Sequence, residues 1–551
     1  MKKILDYTKA KEKYGMDFET FIKYVLNIEK RPELNTDGLS LKGLRFSNQK
    51  DIDALLDKHS SGVVEVVGDY DVDGVCATAI MMKALKVALP NAKLIPAIPN
   101  RFTDGYGLNS RIVEDAAKNG VNLIITVDNG IVAKDAIEFA RNKNIDVIVT
   151  DHHHPDVEKM PNANVIVNPH LEGNLPSRTK NICGAMVAFL ICRAVLEDKK
   201  LLTKNLLREL AELAAIATIC DVMPLEYENR LIVKYLLNMM HRNEDANLGV
   251  SKLMSVLKNG RFEFNTESIS FGIGPALNAA GRLDTAFTSY NLLMETVPSE
   301  LERYANEVDR LNKLRKSLTS QLVALSYQQL NSEDSVNILY FDDISEGIIG
   351  IVAGKICEST NKPTYVFTNN KEKNIIKGSG RSPFWCNLIE VSSDILSSME
   401  DALGFGGHAG AMGLSFKNVD ALAIFKAELD KKVRLMNRIE PEIIAIRFPK
   451  DMTLKEAKDI VSRFEPFGEG LREPLFVCRT PINYLSLMGE NHTRFSGFLN
   501  GEKADFYYFF NTLDESYNGK MVDCFFTINK SVAETTGNET FSIYVKDVIA
   551  V

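Results

Sequence analysis

The chain has 551 residues, a length that suits about two to four domains rather than one. Its hydrophobic fraction of 45% and charged fraction of 25% are typical of a globular protein. With 65 basic and 73 acidic residues, the net charge of -8 argues mildly against nucleic-acid binding, although a local basic groove remains compatible with it. Because we find neither a membrane-spanning apolar run nor a secretory signal, we expect a cytoplasmic protein without a membrane partner.

Cysteine usage supports an intracellular location. None of the eight cysteines belongs to a CxxC pair, and they are scattered over the whole length. The pattern therefore argues against a disulfide framework or a thiolate zinc site. We expect buried free thiols in a reducing cytoplasm.

The N-terminal half of the chain shows an α/β pattern. Residues 1 to about 45 are predicted to form a small helical lead-in. Apolar, β-branched runs then predict strands at 63–68, 93–99, 122–128, 146–151 and 163–169. Helical patterns lie between several of these runs, at 75–89, 110–120 and 133–144, and residues 181–240 are predicted to be largely helical. Continuous apolar strands that alternate with helices indicate a parallel sheet.

The C-terminal half begins with one long predicted helix at 300–330, which has heptad-like spacing and no Pro or Gly. A second α/β block follows, with strands at 337–343 and 363–369 and a helix at 348–360. Beyond about residue 480, short alternating segments such as 505–510 and 524–528 predict a small β-barrel.

The stretch GDYDVDG (68–74) places three carboxylates directly after a predicted strand. The pattern D-x-D-x-D-G also opens an EF-hand calcium loop, but that loop requires a glutamate at its twelfth position. Counted from Asp69, the twelfth residue is Ile80. An EF-hand loop also follows a helix rather than a strand, so we reject the calcium interpretation.

Further acidic and histidine residues follow other apolar segments. Asp128 ends the strand 122–128, Asp151 ends the strand 146–151 before three histidines, and Asp221 follows an apolar helix. A single aspartate after a strand is usually a helix cap or a turn former. Several carboxylates at one sheet edge would repel each other unless a cation compensates them. Carboxylate and imidazole together favour manganese, iron or zinc over calcium.

Four segments of the chain resemble the four motifs of the DHH phosphoesterase family: GDYDVDG (68–74), TVDNG (126–130), TDHHHP (150–155) and ICDVMPL (219–225). Five others resemble the RecJ family of single-stranded-DNA-specific exonucleases within it. They are NRFTDGYGL (100–108), GPALNAAGRLD (274–284), SEGIIGIVAGKI (345–356), KGSGRS (377–382) and GFGGHAGAMGLSF (404–416). The order of the motifs agrees, and the resemblance covers residues 60 to 480.

The resemblance implies an α/β fold class: a parallel-sheet DHH domain and a DHH-associated α/β domain joined by a long helix, followed by a C-terminal OB-type barrel. The expected boundaries are 1–45 for the lead-in, 46–295 for the DHH catalytic domain, 296–332 for the helix, 333–440 for the DHH-associated domain, and 441–551 for a linker and the OB domain. The aromatic residues of the barrel are candidates for base stacking, with core packing as the alternative: Phe495, Phe498, Phe506, Tyr507 and Tyr508.

The resemblance also implies a site for two divalent cations, Mn²⁺ or Mg²⁺. The expected metal ligands are Asp71, Asp73, Asp128, His152 and Asp221, with Asp128 as the bridging ligand. Two such cations activate water and neutralise charge on the scissile phosphate.

The same comparison suggests catalytic roles for Asp69, His153, Asn278, Arg282 and His408. Asp151 is expected to orient a histidine ligand through its second nitrogen. His154 lies where the family commonly has an acidic residue and receives no role, and Met412 replaces a small residue of the family pattern.

Recognition of the DNA end is expected at Arg101, Ser379 and Arg381, which match positions that hold the 5′-phosphate in RecJ-like enzymes. Guanidinium groups bind phosphate bidentately, and a hydroxyl in a Gly-rich turn adds a donor. From the residues alone, the better explanation is that Arg101 and Arg381 are ordinary surface arginines.

The implied function is a hydrolase, a 5′-to-3′ exonuclease of DNA repair and recombination that acts on single-stranded DNA and releases 5′-mononucleotides. One alternative is a DHH phosphodiesterase on short oligonucleotides or cyclic dinucleotides, or a polyphosphatase. Another class of alternative is a non-catalytic replication scaffold. The expected partner is single-stranded DNA, a single-strand-binding protein is a further candidate, and the expected state is a monomer.

Overall fold

The computed structural model describes residues 2–27, 41, 43–175, 180–242, 244, 247–257, 265–371, 373–439, 442–489, 492–509, 511–532 and 539–551. The chain divides into two compact units. The first comprises Met1–Ser40, Pro224–Leu237 and Glu442–Val551, and the second comprises Leu41–Met223 and Asn238–Pro441. Among the described helices, none has both the length and the apolarity that crossing a bilayer requires.

The elements up to residue 167 are as follows: β1 (Lys2–Asp6), α1 (Tyr7–Tyr14), α2 (Phe18–Val25), α3 (Gln49–Lys58), β2 (Val63–Val67), α4 (Val72–Ala88), β3 (Lys93–Ala97), α5 (Ser110–Lys118), β4 (Leu123–Val127), α6 (Lys134–Asn142), β5 (Asp146–Thr150) and β6 (Val165–Val167). A helical stretch follows: α7 (Gly184–Asp198), α8 (Lys204–Cys220), α9 (Tyr227–His241), α10 (Leu248–Leu257), α11 (Thr266–Ser268), a π-helical turn (Ile269–Ile273), α12 (Gly274–Leu283), α13 (Phe287–Met294) and α14 (Pro298–Gln329).

The remaining elements are β7 (Asn337–Phe341), α15 (Glu346–Thr360), β8 (Thr364–Asn370), β9 (Ile375–Arg381), α16 (Leu388–Ser398), β10 (Ala402–His408), β11 (Ala411–Phe416), α17 (Asp420–Arg434), β12 (Ile443–Arg447), α18 (Leu454–Val461), β13 (Leu475–Pro481), β14 (Tyr484–Met488), β15 (His492–Leu499), β16 (Glu502–Tyr508), β17 (Met521–Val532) and β18 (Glu539–Ala550).

The second unit contains two sheets. The first has the order β3-β2-β4-β5-β6 with every pair parallel. Its central strands are buried, and α5 and α6 cover one face through an apolar cluster around Val113 and Ile137. Because the strands are parallel, their carboxyl ends meet at one edge, where ligands bind in such sheets.

The other sheet of this unit has the order β10-β11-β9-β8-β7, and only β7 and β8 pair in parallel. The helix α14 runs over 32 residues before this sheet, close to the predicted limits of 300–330. It begins at Pro298, whose fixed φ suits the first turn of a helix.

The first unit is built on an eight-stranded sheet with the order β1-β12-β13-β17-β18-β16-β15-β14. The N-terminal segment, predicted to form a small helical lead-in, begins with β1, which pairs in parallel with β12. The helices α1 and α2 then bury Tyr7 and Phe18 in the core of the same unit. Arg230 of α9 is buried there as well, and its guanidinium donates to the carbonyl oxygens of Phe464 and Pro466 at 2.8 and 2.6 Å.

The predicted fold class is confirmed, with a parallel sheet, a second α/β domain after a long helix, and a β-rich C-terminal part. All eight cysteines are free, seven of them buried. The domain boundaries between these parts stay predictions.

Candidate active site

The acidic cluster is built at the carboxyl edge of the parallel sheet. Asp69 follows β2, Asp128 follows β4, and Asp151 and His152 follow β5. Asp221, unlike the others, follows a helix and not a strand, because it is the C-cap of α8. The parallel arrangement expected from the sequence therefore places these residues at one edge of the sheet.

Backbone amide groups at two helix N-termini hold two of the carboxylates. Asp71 is the N-cap of α4, and its Oδ1 accepts a hydrogen bond of 3.0 Å from Gly74 N–H. Asp73 accepts hydrogen bonds of 2.6 and 2.8 Å from the N–H groups of Gly184 and Ala185, in the first turn of α7. Donors of this kind stabilise negative charge and fix the direction of each carboxylate.

His152 lies at the centre of the cluster. Its Nε2 is 3.2 Å from Asp128 Oδ1, 3.6 Å from Asp221 Oδ2 and 3.7 Å from Asp73 Oδ2. Four of the five predicted ligands therefore meet around one imidazole. The fifth, Asp71, is close enough for its charge to raise the pKa of both Asp128 and Asp221.

The cluster suits divalent cations. Ligand atoms of Asp128, His152 and His153 lie within 4.8 Å of one another, and so do those of Asp73, His152 and Asp221. Three buried carboxylate oxygens at this described edge of the sheet form no hydrogen bond: Asp69 Oδ1, Asp128 Oδ1 and Asp221 Oδ2. Unpaired buried carboxylates are unfavourable unless a cation compensates them. The donor set of carboxylate oxygens and imidazole therefore fits Mn²⁺ or Mg²⁺.

The electrostatics of the site lead to the same interpretation. Burial and the charge of Asp73 raise the pKa of Asp128, and they raise the pKa of Asp221 to about 9. Burial, followed by the charge of a neighbouring aspartate, also raises the pKa of Asp69 and Asp71. Mutual repulsion of this strength means that the carboxylates are fully ionised together only when positive charge is bound among them.

Asp151 was predicted to orient a histidine, and in the structure its carboxylate contacts the ring of His153. Asp151 Oδ1 lies 2.7 Å from His153 Nδ1, and Asp151 Oδ2 accepts a hydrogen bond of 2.9 Å from Ile131 N–H. Although burial opposes protonation, the hydrogen bond to Asp151 raises the pKa of His153 to about 9. His153 was predicted as a catalytic residue, and the geometry also makes it a candidate ligand.

Two tyrosines that were not predicted from the sequence also contribute to the site. The hydroxyl of Tyr106 donates to Asp128 O at 3.0 Å and lies 3.4 Å from both ring nitrogens of His153. Tyr70 forms a platform for Arg101, whose guanidinium carbon is 3.8 Å from the ring centroid. Tyr70 lies in the motif GDYDVDG and Tyr106 in NRFTDGYGL, so their places inside these motifs could have identified them as site residues.

The predicted phosphate-binding residues lie in the same unit. Arg101 Nε donates to Gly281 O at 3.3 Å, and Arg381 Nη1 donates to Ser379 Oγ at 3.1 Å. Arg282 Nη1 donates to Gly347 O at 3.0 Å. Burial, followed by the charge of Arg101, lowers the pKa of Arg282 to about 10, and Arg381 contributes as well.

A fourth arginine, Arg315 of α14, belongs to this group and was missed, because α14 was read only as a connector. Its charge also lowers the pKa of Arg282, and its own Nε is buried without a hydrogen bond. Within the described ranges, none of Arg101, Arg282, Arg315 and Arg381 forms an ion pair. Neighbouring guanidinium groups without acidic partners are suited to an anionic ligand.

Two predicted catalytic residues are not joined to the acidic cluster. Within the described ranges, the side chains of Asn278 in α12 and His408 in β10 form no hydrogen bond and no ion pair. His408 pairs with Ala411, which in turn pairs with Arg381, so it lies two strands away from the arginine group. His154, to which no role was assigned, packs on His170 with a ring-centroid distance of 3.9 Å.

Comparison with known protein families agrees with this architecture. The model of the DHH family, N-terminal domain, matches residues 63–218. The DHHA1 domain matches residues 333–435, and the RecJ OB domain matches residues 448–547. Fold and site thus define a phosphoesterase of the DHH class that carries an OB domain.

Individual relatives narrow this class. The single-stranded-DNA-specific exonuclease RecJ of Haemophilus influenzae is 37% identical over 78% of this chain and 76% of its own length. The protein with the same name from Escherichia coli is 31% identical over 81% of this chain and 80% of its own length. A crystal structure of RecJ in complex with Mn²⁺ from Thermus thermophilus matches with a TM-score of 0.80 and 26% identity, over 96% of this chain and 75% of that one.

The chain belongs to the RecJ family of single-stranded-DNA-specific exonucleases. The predicted family and enzyme class are therefore confirmed. The residue roles within the site stay predictions.

Proposed function

We propose that the chain removes nucleotides from the 5′ end of single-stranded DNA and releases 5′-mononucleotides, with two divalent cations, Mn²⁺ or Mg²⁺, as cofactors. The main supporting observation is one juxtaposition: the unpaired carboxylates lie in the same compact unit as four arginines that form no ion pair. The first group suits cations and the second suits a phosphate chain.

The metal-holding residues in this proposal are Asp71, Asp73, Asp128, His152 and Asp221. Bound there, divalent cations supply Lewis acidity that activates water and neutralises charge on the phosphate. Asp73 keeps its direction through the amides of Gly184 and Ala185. Asp128 is held by its own backbone, because its N–H donates to Thr150 O and its carbonyl accepts from Tyr106.

Proton handling and charge stabilisation fall to the remaining site residues. The hydrogen bond between His153 Nδ1 and Asp151 favours the protonated ring, and in that form His153 can donate a hydrogen bond to a non-bridging phosphate oxygen. Asp69 keeps one oxygen free of hydrogen bonds and is a candidate acceptor for a proton of water. Arg282, with Asn278 and His408, is proposed to stabilise the negative charge that develops on the phosphate.

The 5′-phosphate is proposed to bind Arg101, Ser379 and Arg381. Tyr70 stacks under Arg101, and Ser379 contacts Arg381, so each guanidinium is held in one orientation. A guanidinium that is already ordered loses less side-chain entropy when a phosphate binds. End recognition of this kind is what separates an exonuclease from a phosphodiesterase without end preference.

The OB domain is proposed to bind the rest of the strand. Phe495 and Phe506, two of the suggested stacking residues, are fully buried and stack on each other at 4.9 Å, so they belong to the core. Phe498 is 41% exposed and lies on the outer face of the sheet, two residues along β15 from Ser496, which is paired with Tyr484. This outer face, rather than the core pair, is our candidate for base stacking.

Two finer points of the proposal concern assembly and location. We propose a monomer, and the eight free thiols suit a reducing cytoplasm. Single-strand-binding protein stays a candidate partner. Light scattering of the purified protein, alone and with that partner, tests the two assembly points together.

The activity test uses a single-stranded oligonucleotide labelled at either end, with the matching duplex as a control, in the presence of Mn²⁺. We expect the 5′-label to appear first as a mononucleotide, and we expect the duplex to be spared. Asp128→Asn should abolish release while DNA binding and the thermal transition are retained. Release that begins at the 3′ end, or cleavage of dinucleotides only, would contradict the proposal. Full binding without any metal-dependent release in the unaltered chain would favour a scaffold.

A further inference from the structure

Phe271 is exposed in an unusual place. It lies in the π-helical turn Ile269–Ile273 with 76% of its surface exposed, while Ile269 and Ile273 on either side are buried. π-helical turns are rare and often occur at functional sites. A single exposed apolar side chain is common on a protein surface, so it is the place of this ring in a π-helical turn next to the site, and not its exposure alone, that suggests a ligand.

The turn belongs to one continuous helix that extends through α11 and α12, from Thr266 to Leu283. Seven residues along a helix make about two turns and eleven make about three, so Phe271, Asn278 and Arg282 lie near one face. Along the axis, Phe271 is about 10 Å from Asn278 and about 16 Å from Arg282. Two of these three residues were already candidates for contact with the substrate.

Both ends of α12 pack against the acidic cluster. At the start of the helix, a Cβ on Gly274 would overlap Cys220 Sγ, next to Asp221. Near its end, a Cβ on Gly281 would overlap Tyr70 O, next to Asp71. The helix therefore spans the site from the Asp221 side to the Asp71 side, and Phe271 lies less than one turn before Gly274.

The arginines indicate which end of α12 lies near the 5′ end of the strand. Arg101 donates to Gly281 O, and Arg282 is the next residue, so the groups proposed to hold the 5′-terminal nucleotide are at the C-terminal end of α12. If the 5′ end of the strand is held there and the following nucleotides run along the helix, they pass its opposite end, where Phe271 is exposed. Nucleobases stack on aromatic rings whatever their sequence, which is what a sequence-independent exonuclease requires.

We propose that Phe271 stacks on a nucleobase of the single strand, a few nucleotides to the 3′ side of the scissile phosphate. The ring would hold the strand against α12 while the terminal nucleotide is hydrolysed. This inference rests on the proposed function, because it needs a single strand whose 5′ end lies near Arg282.

The test uses 5′-phosphorylated oligonucleotides with 2-aminopurine at each of the first six positions in turn, bound in EDTA so that no hydrolysis occurs. Stacking on an aromatic ring quenches 2-aminopurine fluorescence. The variants are Phe271→Ala, Phe271→Leu and Phe271→Trp, and the control is Tyr327→Ala, which removes an exposed aromatic ring from α14. Thermal unfolding of each variant checks its fold.

We expect the unaltered chain to quench one or two adjacent positions, and Phe271→Ala and Phe271→Leu to lose that quenching. Phe271→Ala should also weaken binding about ten-fold, which corresponds to about 1.4 kcal/mol. Phe271→Trp should keep both properties, and Tyr327→Ala should change neither. An unchanged quenching profile in Phe271→Ala, or an equal loss in Tyr327→Ala, overturns the proposal. If the unaltered chain binds and quenches but releases no nucleotide when Mn²⁺ is added, the proposed exonuclease function fails while the stacking assignment stands.

Discussion

Asp151 and His153 are joined by a 2.7 Å hydrogen bond between Oδ1 and Nδ1. The same carboxylate also accepts from the N–H groups of His152 and Ile131, so one buried side chain ties together the end of β5 and the loop after β4. Orientation of this kind commonly decides how well a histidine serves a metal site, because it fixes the tautomer and the ring plane.

Asp151→Asn should therefore lower kcat/KM by about 10- to 100-fold without unfolding the protein. The amide keeps the shape of the side chain but loses the charge that holds His153 protonated. Initial rates on a labelled oligonucleotide and calorimetric titration with Mn²⁺ measure the effect. Glu158→Gln, in an exposed acid of the following segment, is the control and should leave both unchanged. Full activity in Asp151→Asn would show that the bond has no catalytic role.

Gly184→Ala should damage the site by steric overlap alone. A Cβ at Gly184 would come within 2.5 Å of Asp128 Oδ1. Forcing extra volume into a packed site costs about 1–3 kcal/mol, and here it also displaces a proposed metal ligand. We expect a lower melting temperature and at least ten-fold less nucleotide release.

Gly354→Ala is the matched control, since Gly354 also lies in a helix but its new Cβ would find only Arg381 Cγ at 3.9 Å. Its melting temperature should stay the same or rise, because alanine favours a helix over glycine by about 1 kcal/mol. Equal damage by both substitutions would mean that the close approach at Gly184 is unimportant.

Glu65 predicts a pH dependence of stability. It lies inside β2 with 4% of its surface exposed, and its Oε2 forms no hydrogen bond. Burial, with the charge of Asp115, raises its pKa to about 7. The folded chain thus keeps a proton that the unfolded chain releases nearer pH 4.5. This contribution to the free energy of unfolding is present below about pH 4.5, declines as the pH rises towards 7, and is absent above it.

Glu65→Gln, which stays neutral, should therefore be more stable than the unaltered chain at pH 8 by up to about 3 kcal/mol. The advantage should largely disappear at pH 5. Urea unfolding at both pH values measures the difference, with exposed Glu138→Gln as the control. If the free energies of unfolding of the two chains differ by the same amount at both pH values, the side chain does not titrate in this range.

Arg381→Ala should reduce the preference for a 5′-phosphate over a 5′-hydroxyl by about 10- to 100-fold, because charge-assisted hydrogen bonds contribute about 1.5–3 kcal/mol. The preference is the ratio of kcat/KM on two oligonucleotides that differ only at the end. Arg434→Ala, in an exposed arginine paired with Asp430 on α17, should leave the ratio unchanged. An unaltered ratio in Arg381→Ala would remove this residue from end recognition.

Truncation of Phe498 should affect DNA binding, whereas truncation of Phe506 should affect the stability of the fold. Phe498→Ala removes a half-exposed ring and should weaken binding to long single strands while the melting temperature is retained. Phe506→Ala opens the core around Phe495 and should cost about 3–5 kcal/mol of stability. Fluorescence anisotropy and thermal unfolding measure the two effects. Unchanged binding in Phe498→Ala would direct the search to another face of the OB domain.

The parallel sheet and its acidic edge could be predicted because local signals agreed. Each β-branched run is followed at once by a polar cluster, and parallel strands place such clusters together whatever the loops do. This reasoning was enough to place Asp128 and His152 at the shared edge, while their proposed role as metal ligands came from the family motifs. Asp221 could be placed only through the family motif, because it ends a helix and not a strand.

Other features depend on contacts that are distant in the chain. KKILD is too short to indicate a strand by itself, and it becomes β1 only through pairing with Ile443–Arg447. Whether Phe495 or Phe498 faces water depends on strand register, which periodicity alone leaves undecided by one residue. Arg315 was missed because the direction of a side chain on a long helix is set by what packs beside it.

The parallel pairing of β1 with β12 has a consequence for synthesis on the ribosome. β1 is made before Leu41–Pro441, and its neighbour in the sheet, β12, is made only after this whole segment. During elongation, the Leu41–Met223 segment can begin to collapse around its own parallel sheet while β1 has no strand beside it. Until β12 is made, β1 therefore remains a strand without a hydrogen-bonded neighbour. A nascent chain arrested before residue 442 should expose it to proteases or chaperones.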